Sequence, residues 1–204
     1  MDRNIKAFVF DWGGVLLNQT WKGQMAYAAR ALGVDPERLD AECHGHAWRL
    51  FVKGCISEQR FWSYVCGALG VSIPLRESLW YDALESVAKH QQDVWDIAHA
   101  LRLRGFKIGL LSNLDMTALQ WLENNGDLTL FHAKVYSCNE GMQKPCRDMY
   151  QLAVIRLQVE PQEAVMIDDK PDNIVCAQSA GLHGIHFRNT RQLREELLKF
   201  GVSV

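Results

Sequence analysis

The first apolar run of this chain, residues 5–10, shows no polar alternation, ends at Asp11 and is followed by Gly13-Gly14. A run of this kind is typical of a strand buried on both faces, as in a parallel sheet. Similar runs recur after residue 105 and alternate with segments of helical periodicity. The alternation predicts crossover units and therefore an α/β fold, with helices on both faces of a parallel sheet. The predicted strands are 5–10, 106–111, 133–137, 164–167 and 183–187.

Residues 18–92 follow a different pattern, with apolar side chains at helical spacing and no convincing strand. Helix starts are expected at Asp35-Pro36 and Ser57, and helix ends at Gly33 and Gly70. The segment predicts about four helices packed as a small bundle around four of the seven tryptophans. Because it follows the first strand directly, it is expected to be an insertion. The predicted units are a core of residues 1–17 and 93–204 and an all-α cap of residues 18–92.

Composition excludes several kinds of partner. The 22 Lys and Arg against 24 Asp and Glu give a formal charge of −2, so no basic surface for nucleic acid or membranes is expected. The N-terminal apolar run is too short for the core of a signal peptide, and the six cysteines form no Cys-x-x-Cys pair. A cytoplasmic protein with reduced thiols is predicted. The oligomeric state is left open.

Polar side chains follow the predicted strands, at the edge of the sheet where ligands of open parallel sheets bind. Three carboxylates brought together there repel one another unless one is protonated or a divalent cation lies among them. An all-oxygen set suits Mg²⁺, whereas a lysine and a Ser-Asn pair suit phosphate. A carboxylate directly after a buried strand can also act as a nucleophile and form an aspartyl-phosphate. The residues concerned are Asp11, Ser112, Asn113, Lys144, Asp168 and Asp169.

Four segments together resemble the motifs of the haloacid dehalogenase superfamily: residues 8–16, 110–113, 144–145 and 167–169. They occur in the order of that family over nearly the whole chain, and the helical insertion lies where the family has its cap. The resemblance implies a Rossmann-like core and is closest to the small bacterial phosphatases with a helical cap, among them those that hydrolyse sugar 1-phosphates. Residues 54–62 are similar to a cap segment of that group.

The resemblance also implies a role for each motif. Asp11 would be the nucleophile and a Mg²⁺ ligand, and Lys144 would neutralise charge on Asp11 and on the phosphoryl group. Ser112 and Asn113 would bind phosphate oxygens. The other ligands of the metal would be the backbone carbonyl of Gly13, the carboxylate of Asp169 and, through a water, that of Asp168.

Gly13 is a departure from the usual pattern, because most phosphatases of the superfamily carry an Asp there as general acid and base. Loss of such a group typically costs ~10²–10⁴-fold in rate. The sugar-phosphatase group shares the glycine. Three explanations stay open: a good leaving group, as in an anomeric or acyl phosphate; a proton donor in the cap, for which His44 and His46 are candidates; or a site that binds phosphate with little turnover.

The function expected from these residues is Mg²⁺-dependent hydrolysis of a small phosphorylated metabolite, with a sugar phosphate as the favoured substrate. The alternatives are a phosphotransferase or mutase, a haloacid dehalogenase and a non-catalytic phosphate-binding protein. The paired carboxylates Asp168-Asp169 argue against the dehalogenase, which does not use Mg²⁺. Closure of the cap fits a small-molecule substrate, and Trp12, Trp21 and Trp48 offer rings for a sugar, although core packing accounts for them equally well.

Overall fold

The centre of the protein is a parallel sheet of five strands, seen in a computed structural model that describes residues 4–73 and 75–204. The strand order is β3-β2-β1-β4-β5, and every neighbouring pair is parallel. All five predicted strands are confirmed, with small shifts at their ends. The strands are β1 (Ala7–Phe10), β2 (Lys107–Ser112), β3 (Ala133–Tyr136), β4 (Ala164–Asp168) and β5 (His183–His186).

The central position of β1 explains its unbroken apolar sequence. Phe8 and Phe10 pack into the core on one face of the sheet, whereas Ala7 and Val9 pack into the core on the other. All four residues are fully buried. Since successive side chains of a strand point to opposite faces, a strand covered on both sides needs apolar residues at every position.

The described residues between 18 and 91 form five helices, where about four are predicted for residues 18–92. The helix is interrupted at His44 and Gly45, so this stretch forms two short helices. The spacing of its apolar residues does not predict the interruption. The predicted caps are confirmed: Asp35 and Ser57 accept backbone hydrogen bonds at helix starts, and Gly33 ends a helix in the left-handed conformation. The helices are α1 (Trp21–Leu32), α2 (Pro36–Cys43), α3 (His46–Val52), α4 (Glu58–Leu69) and α5 (Leu79–Glu85).

These helices have their own apolar cluster, at whose centre Trp21, Trp48 and Trp80 meet. The ring centroids of Trp21 and Trp48 are 4.9 Å apart, and those of Trp48 and Trp80 are 5.4 Å apart. Edge-on contacts of this kind stabilise a pair by about 0.5–1.5 kcal/mol beyond area burial. Where the helical segment joins the sheet, Asn18 and Lys89 pair through backbone and side-chain hydrogen bonds, so the two connecting segments lie side by side.

The remaining helices cover both faces of the sheet. One face is covered by α6 (Gln92–Leu103), α7 (Met116–Asn125) and the last helix in chain order, α11 (Thr190–Leu198). The short α8 (Ser137–Glu140) follows β3, and the other face is covered by α9 (Arg147–Leu157) and α10 (Pro171–Ser179). The predicted α/β fold with a Rossmann-like parallel sheet is confirmed. Among the described residues, no helix combines the length and apolar character that a membrane span requires.

Candidate active site

A cavity of about 160 Å³ lies at the carboxyl ends of β1, β2 and β4, between the sheet and the helical segment. The fold therefore brings together residues that are more than a hundred positions apart in the chain. Asp168 is fully buried next to the cavity without lining it. The predicted site residues that line the cavity are Asp11, Gly13, Ser112, Asn113, Lys144 and Asp169.

Asp11 is held by three hydrogen bonds to a single carboxylate oxygen. Its Oδ1 accepts from the backbone N–H of Trp12 at 2.7 Å, from the hydroxyl of Ser112 at 2.7 Å and from Nζ of Lys144 at 2.9 Å. The other oxygen, Oδ2, has no hydrogen-bond partner among the described residues. Burial raises the pKa of Asp11 to about 6, an effect that the charge of Lys144 opposes. The carboxylate is thus fixed through one oxygen and free at the other.

Lys144 is a buried cation between two carboxylates. Its Nζ lies 2.9 Å from Oδ1 of Asp11 and 2.6 Å from Oδ2 of Asp168, and only 1% of its side chain is exposed. Burial acts against its charge, but the two carboxylates outweigh that effect and raise the pKa of Lys144 above its usual value. Burial likewise opposes ionisation of Asp168, yet Lys144 keeps the pKa of Asp168 below its usual value. The cluster therefore holds two negative charges and one positive charge out of water.

Asp168 receives further hydrogen bonds that fix its orientation. The amide of Asn173 donates to both of its oxygens at 2.9 Å, and the backbone N–H of Lys170 donates to Oδ1 at 2.9 Å. Charge-assisted bonds of this kind are about twice as strong as neutral ones. Asp168 thus positions Lys144, and Asn173 orients Asp168 from the first turn of α10.

Asp169, like Asp11, keeps one carboxylate oxygen without a hydrogen-bond partner. Its Oδ2 accepts a hydrogen bond from the side chain of Gln19, whereas its Oδ1 is buried without a partner among the described residues. Carboxylate oxygens of Asp11, Asp168 and Asp169 all lie within 4.8 Å of one another. An orphaned buried carboxylate oxygen is costly unless a cation or donor satisfies it. The donor set therefore fits a hard divalent cation such as Mg²⁺.

Gly14 allows Gln19 and Asp169 to approach the loop after β1. Its φ of +83° lies in the left-handed region, and a Cβ there would lie 2.4 Å from Nε2 of Gln19 and 2.6 Å from Cγ of Asp169. Gly13 is different, because a Cβ at that position meets nothing within 4 Å. The first glycine therefore leaves open space, and the second is required by the close approach.

Asn113 contacts Lys144 rather than open space. Its amide donates to the backbone oxygen of Lys144 at 2.9 Å and accepts from the backbone N–H of Lys144 at 2.7 Å. Both polar ends of the side chain are therefore engaged in holding the loop that carries the lysine. A direct contact of the Asn113 side chain with phosphate stays a prediction. Ser112 points its hydroxyl at Asp11.

Neither candidate histidine lines the cavity. The ring of His44 packs against Trp21 with centroids 4.9 Å apart, and its Nδ1 pairs with the backbone oxygen of Asp40. His46 lies in a separate groove, together with Glu42 and other residues of the helical segment. The expectation that one of them faces the site is not met in this structure.

The sequence does not predict several of the residues that line the cavity, among them Gln19, Gln24, Trp80 and Asp115. Asp115 carries a local signal, since an Asp one residue before a helical pattern is a typical N-cap, and it accepts from the backbone N–H groups of Thr117 and Ala118. The sequence around Gln19, Gln24 and Trp80 does not indicate that these residues line a cavity. A glutamine on a helix is ordinarily a surface residue.

The parallel sheet and the carboxylate–lysine cluster at its carboxyl edge are those of an α/β enzyme. The family model described as "Hydrolase: haloacid dehalogenase-like hydrolase" matches residues 5–181, and the chain belongs to this family. The predicted family and the predicted hydrolase class are thus confirmed.

Several known proteins are similar to the chain. A HAD-like family hydrolase of Porphyromonas gingivalis is 25% identical, with a TM-score of 0.78 over 96% of this chain and 98% of that one. The HAD family enzyme BT-2542 of Bacteroides thetaiotaomicron, in complex with magnesium and inorganic phosphate, is 21% identical with a TM-score of 0.77 over 90% and 94% of the two chains.

Two curated proteins are also similar to the chain. Sesquiterpene phosphatase astK of Aspergillus oryzae is 23% identical over 192 residues, which cover 93% of each chain. Acyl-CoA dehydrogenase family member 10 of Mus musculus is 26% identical over 190 residues, which cover 90% of this chain. The match spans only 18% of the length of the mouse protein.

Proposed function

We propose that the protein is a Mg²⁺-dependent phosphatase that hydrolyses a small phosphorylated metabolite, with a sugar phosphate as the favoured substrate. The proposal rests on the hydrogen bonding of two carboxylates, each of which keeps one oxygen free. Asp11 is fixed through Oδ1 and free at Oδ2, and Asp169 presents a buried, unpartnered Oδ1 beside it. In this proposal Asp11 supplies the nucleophile and Asp169 a cation ligand, at the edge of the sheet where ligands of open α/β proteins bind.

The cofactor is Mg²⁺, and its ligands would be Asp11, Asp169, the backbone carbonyl of Gly13 and, through a water, Asp168. The all-oxygen donor set and the orphaned Oδ1 of Asp169 support this choice. The Bacteroides relative is known in complex with magnesium and phosphate. When bound, the ion supplies positive charge that offsets repulsion between these carboxylates and the substrate phosphate.

In the proposed reaction, Oδ2 of Asp11 attacks phosphorus, and the bond between phosphorus and the ester oxygen breaks. The departing oxygen takes its proton from solvent water. Water then attacks the phosphorus of the aspartyl-phosphate, which releases inorganic phosphate and restores the carboxylate. Lys144 neutralises charge on Asp11 and on the phosphoryl group throughout, and Ser112 orients the carboxylate.

The proton required by the leaving group has no obvious donor at residue 13. Among the residues that the structure describes, no histidine lines the cavity, and the titratable lining groups are Asp11, Asp115, Asp169, Lys144 and Lys170. A substrate whose leaving oxygen needs little protonation, such as an anomeric phosphate, fits this set. Among sugar phosphates, this favours one esterified at the anomeric oxygen, because an anomeric oxygen is a better leaving group than that of an ordinary alcohol.

We further propose that residues 18–92 act as a cap over the cavity. The segment has its own apolar cluster, and its two connections to the sheet lie side by side at Asn18 and Lys89. Paired connections of this kind are suited to rigid-body opening, which admits substrate and then excludes water.

Asp11→Asn tests the proposed function. The variant keeps the size of the side chain but removes the nucleophilic charge, so release of phosphate from p-nitrophenyl phosphate and glucose 1-phosphate should fall by at least about 10³-fold. Asp148→Asn, which removes an exposed carboxylate on α9, is the matched control and should keep full activity.

Turnover by Asp11→Asn at the rate of the unsubstituted protein would contradict the assignment of the nucleophile. If the unsubstituted protein with Mg²⁺ releases no phosphate from a broad panel of phosphorylated metabolites, the non-catalytic, phosphate-binding alternative is favoured. Faster product formation on addition of an acceptor sugar than in water alone would indicate a phosphotransferase instead.

A further inference from the structure

We propose that Gln91 is a positioning residue for the Mg²⁺ site: its side-chain amide fixes the loop of Gly13 and Gly14 and thereby holds the backbone carbonyl of Gly13 in place for the ion. The inference rests on the proposed function, which assigns that carbonyl to Mg²⁺. It gives a role to a residue that does not line the cavity and that belongs to the segment between α5 and α6.

The loop after β1 contains two consecutive glycines, Gly13 and Gly14. Because glycine has no Cβ, its backbone can adopt many conformations, and ordering it costs more conformational entropy than ordering other residues. Gly14 has a φ of +83°, in the left-handed region that other residues rarely adopt. A metal ligand on such a loop keeps a defined position only if contacts from outside the loop fix its peptide groups.

Gln91 supplies contacts of this kind. Its Nε2 donates to the carbonyl oxygen of Gly14 at 3.1 Å and to that of Leu17 at 3.2 Å, so both hydrogens of the amide nitrogen are used. The backbone N–H of Gln91 also donates to the carbonyl oxygen of Leu16 at 2.9 Å. The residue thus binds three carbonyl groups in the segment that follows Gly13.

The hydrogen bond from Gln91 to Leu17 acts on Gly13 through one further bond. The carbonyl oxygen of Leu17 also accepts from the backbone N–H of Gly14 at 2.8 Å. That N–H and the carbonyl of Gly13 belong to one planar trans peptide group, in which they point in opposite directions. The carbonyl of Gly13 is therefore turned away from Leu17, and it accepts no hydrogen bond from the described residues.

Trp95 supports the same segment from α6. Its indole Nε1 donates to the carbonyl oxygen of Leu16 at 3.0 Å, and the residue is buried. Leu16 and Leu17 are themselves fully buried, so the segment is also anchored in the apolar core. Gln91 remains the residue whose side chain reaches Gly14, and its loss should therefore have the larger effect on the position of the glycine loop.

An amide is the side chain that this position requires. Carbonyl oxygens accept hydrogen bonds and do not donate them, so the group that faces Gly14 and Leu17 must donate twice. A methionine at residue 91 would leave both carbonyls without this partner, and a glutamate would place further acceptor oxygens against them. Groups that orient metal ligands in this way typically contribute about 10–100-fold to metal affinity.

Binding of Mn²⁺ tests the inference without relying on turnover. Mn²⁺ suits the same oxygen ligands as Mg²⁺, and electron paramagnetic resonance measures its free fraction. Gln91→Met, which keeps the length of the side chain and removes the amide, should raise the Kd of Mn²⁺ by at least about tenfold. Trp95→Phe, which keeps an aromatic ring and removes the indole N–H, should raise it by a smaller factor. The matched control is Gln92→Met, which changes the neighbouring exposed glutamine and should keep the Kd.

Gln91→Glu separates positioning from simple electrostatics. The variant is nearly isosteric and adds a negative charge, which by itself would tighten the binding of a cation. Because it also replaces two donor hydrogens by an acceptor, loss of positioning should raise the Kd of Mn²⁺ by at least about threefold. Tighter binding of Mn²⁺ by Gln91→Glu would contradict the inference. Should Gln91→Met fail to fold, Gln91→Glu and Trp95→Phe carry the same test.

Thermal unfolding in EDTA establishes which variants are folded, and a purely structural role of Gln91 would lower the Tm there without changing the Kd. An unchanged Kd in folded Gln91→Met, or no binding of Mn²⁺ by the unsubstituted protein, would overturn the inference.

Phosphate release at saturating Mg²⁺ completes the test. The rate of Gln91→Met should return to within about threefold of that of the unsubstituted protein, because the variant keeps the proposed nucleophile. A rate that stays low at saturating Mg²⁺ would contradict a role confined to positioning the ion site. No release of phosphate by the unsubstituted protein, together with a Kd that depends on Gln91, would overturn the proposed function alone.

Discussion

The indole Nε1 of Trp80 donates a hydrogen bond to Oδ2 of Asp115 at 2.9 Å, and this bond joins the helical segment to the loop that follows β2. The other oxygen of Asp115 accepts from the backbone N–H groups of Thr117 and Ala118 and so caps α7. Trp80 belongs to the tryptophan cluster of the helical segment. One buried carboxylate therefore fixes both the start of a helix beside the sheet and the position of the helices above the cavity.

The pH dependence of stability should report this carboxylate. Burial raises the pKa of Asp115 to about 6 from its usual 3.8, and the charge of Glu58 adds to the rise. Because the folded protein binds this proton more tightly than the unfolded chain does, protonation of Asp115 stabilises the folded state, by on the order of 3 kcal/mol. This contribution is fully present below pH 4 and is lost as the pH rises to about 6. The difference in free energy of unfolding between the unsubstituted protein and Asp115→Asn should decline over this range, as measured by urea unfolding.

Asp148→Asn removes an exposed carboxylate and is the control for the titration of Asp115. Its free energy of unfolding should run parallel to that of the unsubstituted protein at every pH. A constant difference between the unsubstituted protein and Asp115→Asn from pH 4 to pH 7 would show that the pKa of Asp115 is not raised in the folded state.

Lys144→Met should be strongly destabilising. The variant leaves the carboxylates of Asp11 and Asp168 buried and close together without the cation that now lies between them. Breaking a buried ion pair in this way typically costs about 3–5 kcal/mol. Chemical denaturation at neutral pH measures the loss, which should shrink in acid as the carboxylates become protonated. Lys199→Met, at an exposed position, should change stability by no more than about 0.5 kcal/mol. Equal effects of the two substitutions would contradict the role given to Lys144.

Removal of magnesium should lower the thermal stability of the protein. An ion that binds only the folded state stabilises it by about 2.7 kcal/mol when its concentration is a hundred times its Kd. The Tm should therefore rise with added Mg²⁺ and return to its starting value with EDTA. Asp169→Asn should abolish the rise in Tm, because it removes the negative charge of a carboxylate whose Oδ1 has no partner. Asp172→Asn, at an exposed position three residues away, should retain it, and a full rise in Asp169→Asn would exclude that residue as a ligand.

Gly13→Asp should increase turnover. A Cβ at residue 13 meets nothing within 4 Å, so the site has space for a side chain. A general acid at this position would protonate the leaving oxygen, and such groups contribute ~10²–10⁴-fold. We expect the gain to be largest for alkyl phosphates and small for p-nitrophenyl phosphate, whose leaving group needs no proton. Steady-state kinetics with the two substrates measure the contrast, and equal gains for both would argue against proton donation.

Gly14→Ala is the structural counterpart of that experiment. Its added methyl group would overlap Gln19 and Asp169, and its φ of +83° is unfavourable for any side chain. We expect a loss of stability of about 1–3 kcal/mol. Urea unfolding of Gly13→Ala and Gly14→Ala side by side tests the contrast. Similar stabilities would mean that the close approach of Gln19 to Asp169 is not maintained in solution.

Local sequence was sufficient to predict the strands, the helix caps and the carboxylates at the strand ends. The apolar run before Asp11 predicts a central strand, because only a strand covered on both faces needs that pattern. Asp35 and Ser57 predict helix starts, because capping involves neighbours within three residues. Asp11 and Asp169 meet because each directly follows a strand, and parallel strands end at one edge of the sheet.

The fold class, the family and the carboxylates that lie at the edge of the sheet could thus be predicted from the amino-acid sequence. Only the tertiary structure decided which polar groups are left without partners. The buried, unpartnered Oδ1 of Asp169, the hydrogen bonds of Asn113 to Lys144 and the absence of His44 from the cavity lining each depend on contacts between elements far apart in the chain. Burial and hydrogen bonding are properties of the packed chain, so no local pattern reveals which side chain is buried and still free to bind.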